Sequence, residues 1–395
     1  MLLKTFYEGI EVHRKEKIIV VKFLMPHRVI STCRANGGLR DDLDLIFNHQ
    51  SCEPTGHRLK SHSLAVQQPL VYLQQICLQH GLSENCASLG TAANMNCAAL
   101  ESETFHGLEV VAVCTGGVET NAGRAGDPAS IYEEGGRFIP VSDTILRNGK
   151  ENCAVEKAKQ DSGTINIIIC ISRELAHGAM IRAVMTATEA KTAVLQELNV
   201  KSRYSGSLAT GTGTDQIAVA CALRGNKPLT GAGKHTKLGE LIGLTVKKAV
   251  AGTLKLQNGM SPQSRCSTLV HIERFGADAD TMKAGIKKYL EAHSGELLSK
   301  NFASIDHDPV TVAATAALVH LRDKLGWQIL PESCAPEIFS SYGAHLAAAV
   351  SGKYERFMSY KNRLDGRRFS LEDAAFVDFI CFCMAMGFEE KWKGI

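Results

Sequence analysis

"GSLATGTGTDQIAVAC", residues 206–221, joins an alternation of Thr with Gly to a run of small and β-branched apolar residues, with Asp215 at the join. The whole stretch reads as a strand. With period two, Thr210, Thr212 and Thr214 would share one face. The other face would show only Gly211 and Gly213, where a second backbone or a flat ligand approaches closely. Glycine weakens a strand interior, so two at this spacing need a reason. Either this is a tight packing contact, with Thr chosen for β-propensity, or it is the wall of a site. A phosphate loop fits less well, because no Gly-Lys-Ser/Thr follows and the G-x-G fragment lacks its third glycine.

Working outward, "KIIVVKFL", "HRVISTC", "LEVVAVCTGG" and "GTINIIICIS" read as further strands. Helical spacing of apolar residues falls at about 66–81, 86–101, 173–198 and 237–256. "LEVVAVCTGG" and "GTINIIICIS" could pair without an intervening helix. The order therefore predicts a mixed layered α/β domain over residues 1–258 rather than a strictly doubly wound sheet. "LQNGMSPQSRCS", 256–267, carries Asn-Gly and Ser-Pro turn signals and reads as a linker. Residues 268–395 follow as a mostly helical C-terminal part. Within it "IDHDPVTVAATAALVHLRDKLGW" and "FSLEDAAFVDFICFCMAMGF" are amphipathic, and Ser370 with Asp373 reads as a capping box.

At 395 residues, 45% apolar and 22% charged, the composition is that of an ordinary globular protein. A net charge of +3 gives no argument for nucleic acid or an anionic membrane. The N-terminus turns polar within a few residues, unlike a signal peptide, and "AAFVDFICFCMAMGF" is too short to span a bilayer and contains Asp378. A cytoplasmic location is expected. Thirteen dispersed cysteines without CxxC read as reduced, mostly buried thiols. The histidines are scattered, with no HxxxH or HExxH spacing, so no catalytic metal is expected.

On the 173–198 helix Arg182, Thr186 and Glu189 share one face, and Thr188, Lys191 and Thr192 form a neighbouring polar strip. A solvated face is the bland reading. Against it, Ala, Gly and Thr dominate where solvent would favour longer charged residues. Other Gly-rich segments have the same character. Asn36 and Gly37 follow one strand, and Thr115, Asn121, Arg124 and Asp127 follow another. His235, Thr236 and Lys237 precede a helix that includes Glu240. Thr236 makes a partial N-cap, its capping-box partner position being Gly239.

Taken in order, "ISTCRANGGL", "LGTAANMNCAA", "CTGGVETNAGRAGDP", "GTINIIICI", "AMIRAVMTATEAKTAVLQEL", "GSLATGTGTD" and "GKHTKLGELIG" resemble the adenosylcobinamide amidohydrolase family of corrinoid salvage. The likeness runs over roughly residues 28–250. Cys33 and Arg34 stand where smaller residues are expected. The resemblance implies hydrolysis of the amide between the corrin propionyl arm and aminopropanol, giving adenosylcobyric acid and 1-amino-2-propanol. No cofactor is required beyond the cobalt that the substrate carries. Asn36, Gly37, Thr115, Asn121, Arg124, Asp127, Asn166, Thr188, Thr210, His235, Thr236, Lys237 and Glu240 would meet the amide-edged ring.

For the chemistry, Glu189 or Asp215 would act as base on water, and Lys191 or Lys237 would supply positive charge. Thr212 or Thr214 with backbone N–H groups would hold the oxyanion. A Thr nucleophile beside a base is a second route, and self-cleavage before Thr164 in "DSGTINIII" a third. The competing classes are a corrinoid-binding or carrier protein without catalysis and a nucleotide-binding enzyme. The helical C-terminal part is expected to cap the site or to mediate a homodimer.

Overall fold

The computed structural model describes residues 1–51, 60–135, 137–141 and 163–392. The chain divides into two compact units, Met1–Ser261 and Pro262–Ile395.

In the first unit, two sheets stack between helices. One sheet orders its strands Leu2–Phe6, Ile10–Lys15, Ile18–Phe23, Leu45–Gln50 and Cys86–Thr91. The other orders Gly38–Arg40, His27–Ser31, Gln216–Ala222, Ile165–Ile171, Leu108–Gly116 and Ala99–Phe105. Strand alternation shows how the layers form. Ile165, Ile167, Ile169, Ile217 and Val219 pack against the helices His177–Glu197 and Lys237–Asn258. The residues between them, Ile168, Cys170, Ala218 and Ala220, face the first sheet with Ile10, Val21 and Leu89. The far side of the first sheet is covered by Tyr72, Leu73 and Ile76 of the helix Pro69–His80. Each central strand is thus buried on both faces, which explains its unbroken apolar run.

Ile165–Ile171 pairs antiparallel with Leu108–Gly116, Asn166 opposite Thr115, and parallel with Gln216–Ala222, Asn166 beside Gln216. The direct pairing of the first two strands, and the mixed order, are therefore as the sequence reads. The helix expected at 86–101 is not there. Cys86–Thr91 is a strand parallel to Leu45–Gln50, and Ala99–Phe105 is the edge strand of the second sheet. Successive side chains there alternate between layers, Ala87 and Leu89 packing toward the second sheet and Cys86 toward the helix Pro69–His80, as a strand requires.

In the second unit, every regular element among the described residues is helical. Its core joins Pro309–Gly326, Ala335–Ser351 and Asp373–Lys391. A Cβ at Gly387 would lie 2.3 Å from the Ala347 carbonyl oxygen, so glycine sets how closely the last two helices cross. The capping box read at Ser370 starts two residues too early. The N-cap is Glu372, Ser370 Oγ accepts the Glu372 N–H at 3.1 Å, and Asp373 pairs with Arg322 instead. No helix among the described residues is long and apolar enough to cross a membrane.

Candidate active site

The strands Ile165–Ile171 and Gln216–Ala222 begin at the same end of the second sheet, and residues 209–215 wrap across that end. They do not form one strand. Gly211–Thr212 makes a two-residue antiparallel ladder with Ala122–Gly123, and a turn follows before Gln216. The reason is Asp215, whose carboxylate folds back onto the Thr212 N–H at 3.0 Å and offers the backbone a partner outside the ladder. The three threonines therefore diverge instead of sharing a face. Thr210 Oγ1 accepts from the Ala125 N–H at 2.8 Å, Thr212 Oγ1 donates to Asp215, and Thr214 Oγ1 donates to the Gly163 carbonyl at 2.8 Å.

The helix His177–Glu197 crosses this wrap and clips it. Gln196 Nε2 donates to the Ala209 carbonyl and Thr192 Oγ1 to the Thr210 carbonyl. Next to Thr192, Lys191 is buried and its Nζ is paired with Asp215 Oδ2, side chains 11% and 15% exposed. Asp215 Oδ2 also takes the Thr212 N–H, while Oδ1 takes the Ile165 N–H at 2.9 Å and the Thr212 hydroxyl at 2.5 Å. Four donors fill the four acceptor positions of the carboxylate, so none is left to draw a proton from water. What the carboxylate can still do is take the Thr212 proton, and Thr212 is part-exposed. Gly211 is explained here: a Cβ would lie 2.5 Å from Asp215 Oδ2 and 2.8 Å from Lys191 Nζ.

Beside this centre, Asn121 Nδ2 donates to the Gly163 carbonyl at 3.0 Å, and Tyr204 OH donates to Asn121 Oδ1 at 2.8 Å. Asp127 Oδ2 takes the Arg124 N–H and the Ser202 hydroxyl, and Arg124 reaches the Leu208 carbonyl. Burial alone would raise the Asp127 carboxyl, but these donors hold it below the ordinary carboxylate range. Between the sheets, Asn166 Nδ2 donates to Asn48 Oδ1 and the Gly90 carbonyl, and Asn48 Nδ2 to Thr115 Oγ1. Asn166 and Thr115 thus tie strand ends together from buried positions.

The remaining residues lie elsewhere. Glu189, two positions from Lys191 and on another side of the helix, pairs with Lys234 at 2.7 Å, the side chains 48% and 67% exposed. Thr188 returns its hydroxyl to the Val184 carbonyl. Thr236 caps the helix Lys237–Asn258 by accepting from the Gly239 N–H. Gly239 replaces the usual Glu because a Cβ would lie 2.0 Å from the Gly233 carbonyl oxygen. Lys237 pairs with Glu240, and His235 is exposed. Asn36, at φ +55°, donates to the Glu84 and Cys86 carbonyls, and a Cβ at Gly37 would lie 1.9 Å from the Cys33 carbonyl oxygen. Both close a turn. Because the Glu189–Lys234 pair is exposed, Glu189→Gln is expected to change stability by less than about 1 kcal/mol. A denaturant titration of the variant beside the native chain checks this.

Asn48, Gln216 and Tyr204 escaped the sequence reading. The first two had a signal, an amide side chain bordering an apolar strand run, as in "LIFN" and "QIAVA", and Gln216 Oε1 accepts the Gly90 N–H at 2.8 Å. All described cysteines are free, and burial pushes the Cys33 thiol up to about 11. Among the described residues, no group of three or more His, Cys, Asp or Glu is placed to hold a metal ion.

The family model described as adenosylcobinamide amidohydrolase matches residues 3–262. An uncharacterized protein of Methanocaldococcus jannaschii is 33% identical over 245 residues, 61% of this chain and 87% of that protein. An adenosylcobinamide amidohydrolase of Methanosarcina mazei is 36% identical over 121 residues, 29% of this chain and 56% of that protein's length. Among solved structures, a Pyrococcus horikoshii protein aligns at 12% identity and a TM-score of 0.30, covering 62% of this chain and 83% of its own. The ordered motifs and the match across the whole first unit lead to one statement: the chain belongs to the adenosylcobinamide amidohydrolase family.

Proposed function

We propose that the chain hydrolyses the amide joining the propionyl arm of adenosylcobinamide to aminopropanol, releasing adenosylcobyric acid and 1-amino-2-propanol for cobalamin salvage. The observation that carries this reading is the part-exposed Thr212 hydroxyl donating at 2.5 Å to a carboxylate locked by Lys191 and two backbone N–H groups. A hydroxyl, a base and a group that orients the base are the parts of an activated nucleophile. Thr212 Oγ1 attacks the amide carbonyl as its proton passes to Asp215. The ammonium of Lys191, with N–H groups beyond the one on Asp215, faces the developing negative charge. The proton on Asp215 leaves with the aminopropanol nitrogen, and water then releases the acid from Thr212. The reaction consumes only water, and the cobalt belongs to the substrate.

Thr212→Val should lower aminopropanol release from adenosylcobinamide by about 10³-fold, while Thr212→Ser should keep most of it. Full turnover in the valine variant would sink the nucleophile. Corrinoid binding without any release by the native chain would instead make this a carrier.

A further inference from the structure

We propose that this chain cuts its own backbone between Gly163 and Thr164. Thr214 Oγ1 at 2.8 Å and Asn121 Nδ2 at 3.0 Å both donate to the Gly163 carbonyl oxygen. Two donors on one carbonyl form the pocket that stabilises an oxyanion. The Thr164 hydroxyl lies 2.6 Å from Thr214 Oγ1, and Thr164 is buried. Thr214 has a single proton, and it is directed to Gly163, so Thr164 is the donor in their mutual bond.

The peptide is fixed on both sides. The Thr164 carbonyl accepts from the Gly117 N–H at 3.2 Å, and the next N–H, of Ile165, is held by Asp215. Gly163 is required sterically, since a Cβ would lie 3.0 Å from the Gly117 carbonyl oxygen and 3.1 Å from Asn121 Cβ.

The step balances without an outside reagent other than water. Thr164 Oγ1 bonds to the Gly163 carbonyl carbon, closing a five-membered ring. Its proton passes to Thr214 Oγ1, whose own proton passes to the Gly163 oxygen. The ring then opens by breaking the Gly163–Thr164 C–N bond, the proton returning to the Thr164 nitrogen and leaving an ester. Water cleaves that ester, restoring the Thr164 hydroxyl and giving a Gly163 carboxylate and a free Thr164 amine. No corrinoid enters, so the outcome is independent of the amide-hydrolase reading.

Intact mass under denaturing conditions, after incubating the purified native chain, tests this. Two fragments, residues 1–163 and 164–395, are expected, with a threonine amine at the new terminus. Thr164→Ser should still cut, Thr164→Ala should stay whole, and Asn121→Ala or Thr214→Val should cut about 10²-fold more slowly. A thermal melt of the alanine variant establishes that it folds. One full-length mass from the folded native chain, or the same fragments from Thr164→Ala, would overturn the proposal.

Discussion

Asp215→Asn is expected to reduce amide hydrolysis by about 10³-fold and to lower stability by about 3 kcal/mol. The two losses have different origins. Stability falls because the amide leaves Lys191 Nζ without a counter-charge in a site where the pair is largely covered, its side chains 11% and 15% exposed. Removing one partner of such a pair costs more than removing both. Activity falls because an amide cannot take the Thr212 proton. The double variant Lys191→Met with Asp215→Leu separates them: most of the stability should return, while turnover stays lost. Urea unfolding and an aminopropanol-release assay on the three proteins decide it. If the double variant were as unstable as Asp215→Asn, the penalty would not lie in an uncompensated charge.

Acid is the second strong lever. His27 is fully buried, its ring stacked on Phe23 at 4.3 Å. Its Nδ1–H donates to the Met25 carbonyl and its Nε2 accepts from Tyr7 OH. His49 is buried with Nδ1 2.5 Å from Tyr72 OH. Burial chiefly, with Arg224 near the first and His80 and Lys17 near the second, lowers each from 6.5 to about 4. Between those values the unfolded chain binds the protons that the folded chain refuses, so stability falls as pH falls through that window and is recovered above it.

Each shift corresponds to about 3 kcal/mol, a large share of an ordinary folding free energy of about 5–15 kcal/mol. Denaturant midpoints at pH 7, 6 and 5 should fall progressively, and His49→Gln should make that slope shallower. Equal stability at pH 7 and 5 would show that these rings find a charged partner when protonated.

By itself the sequence determined the local periods. "GTINIIICIS" and "LEVVAVCTGG" read as strands, and about 173–198 and 237–256 as helices from three- and four-residue spacing, where the strands and the helices His177–Glu197 and Lys237–Asn258 are found. The order of its motifs also carried the family. Tertiary structure decided what period cannot encode. "CASLGT" falls within a stretch of helical apolar spacing and becomes a strand because Leu45–Gln50 offers it a parallel partner.

The Thr-Gly stretch breaks its strand because one carboxylate, at Asp215, competes for the backbone. Glu189 and Lys191 stand only two residues apart, on different faces of the helix, and the fold sends one to Lys234 and the other to Asp215. Periodicity is a property of neighbours along the chain, and it survives without a fold. A partner chosen 24 residues away is fixed only when the layers pack and leave room, as Gly211 does, for two charges to meet.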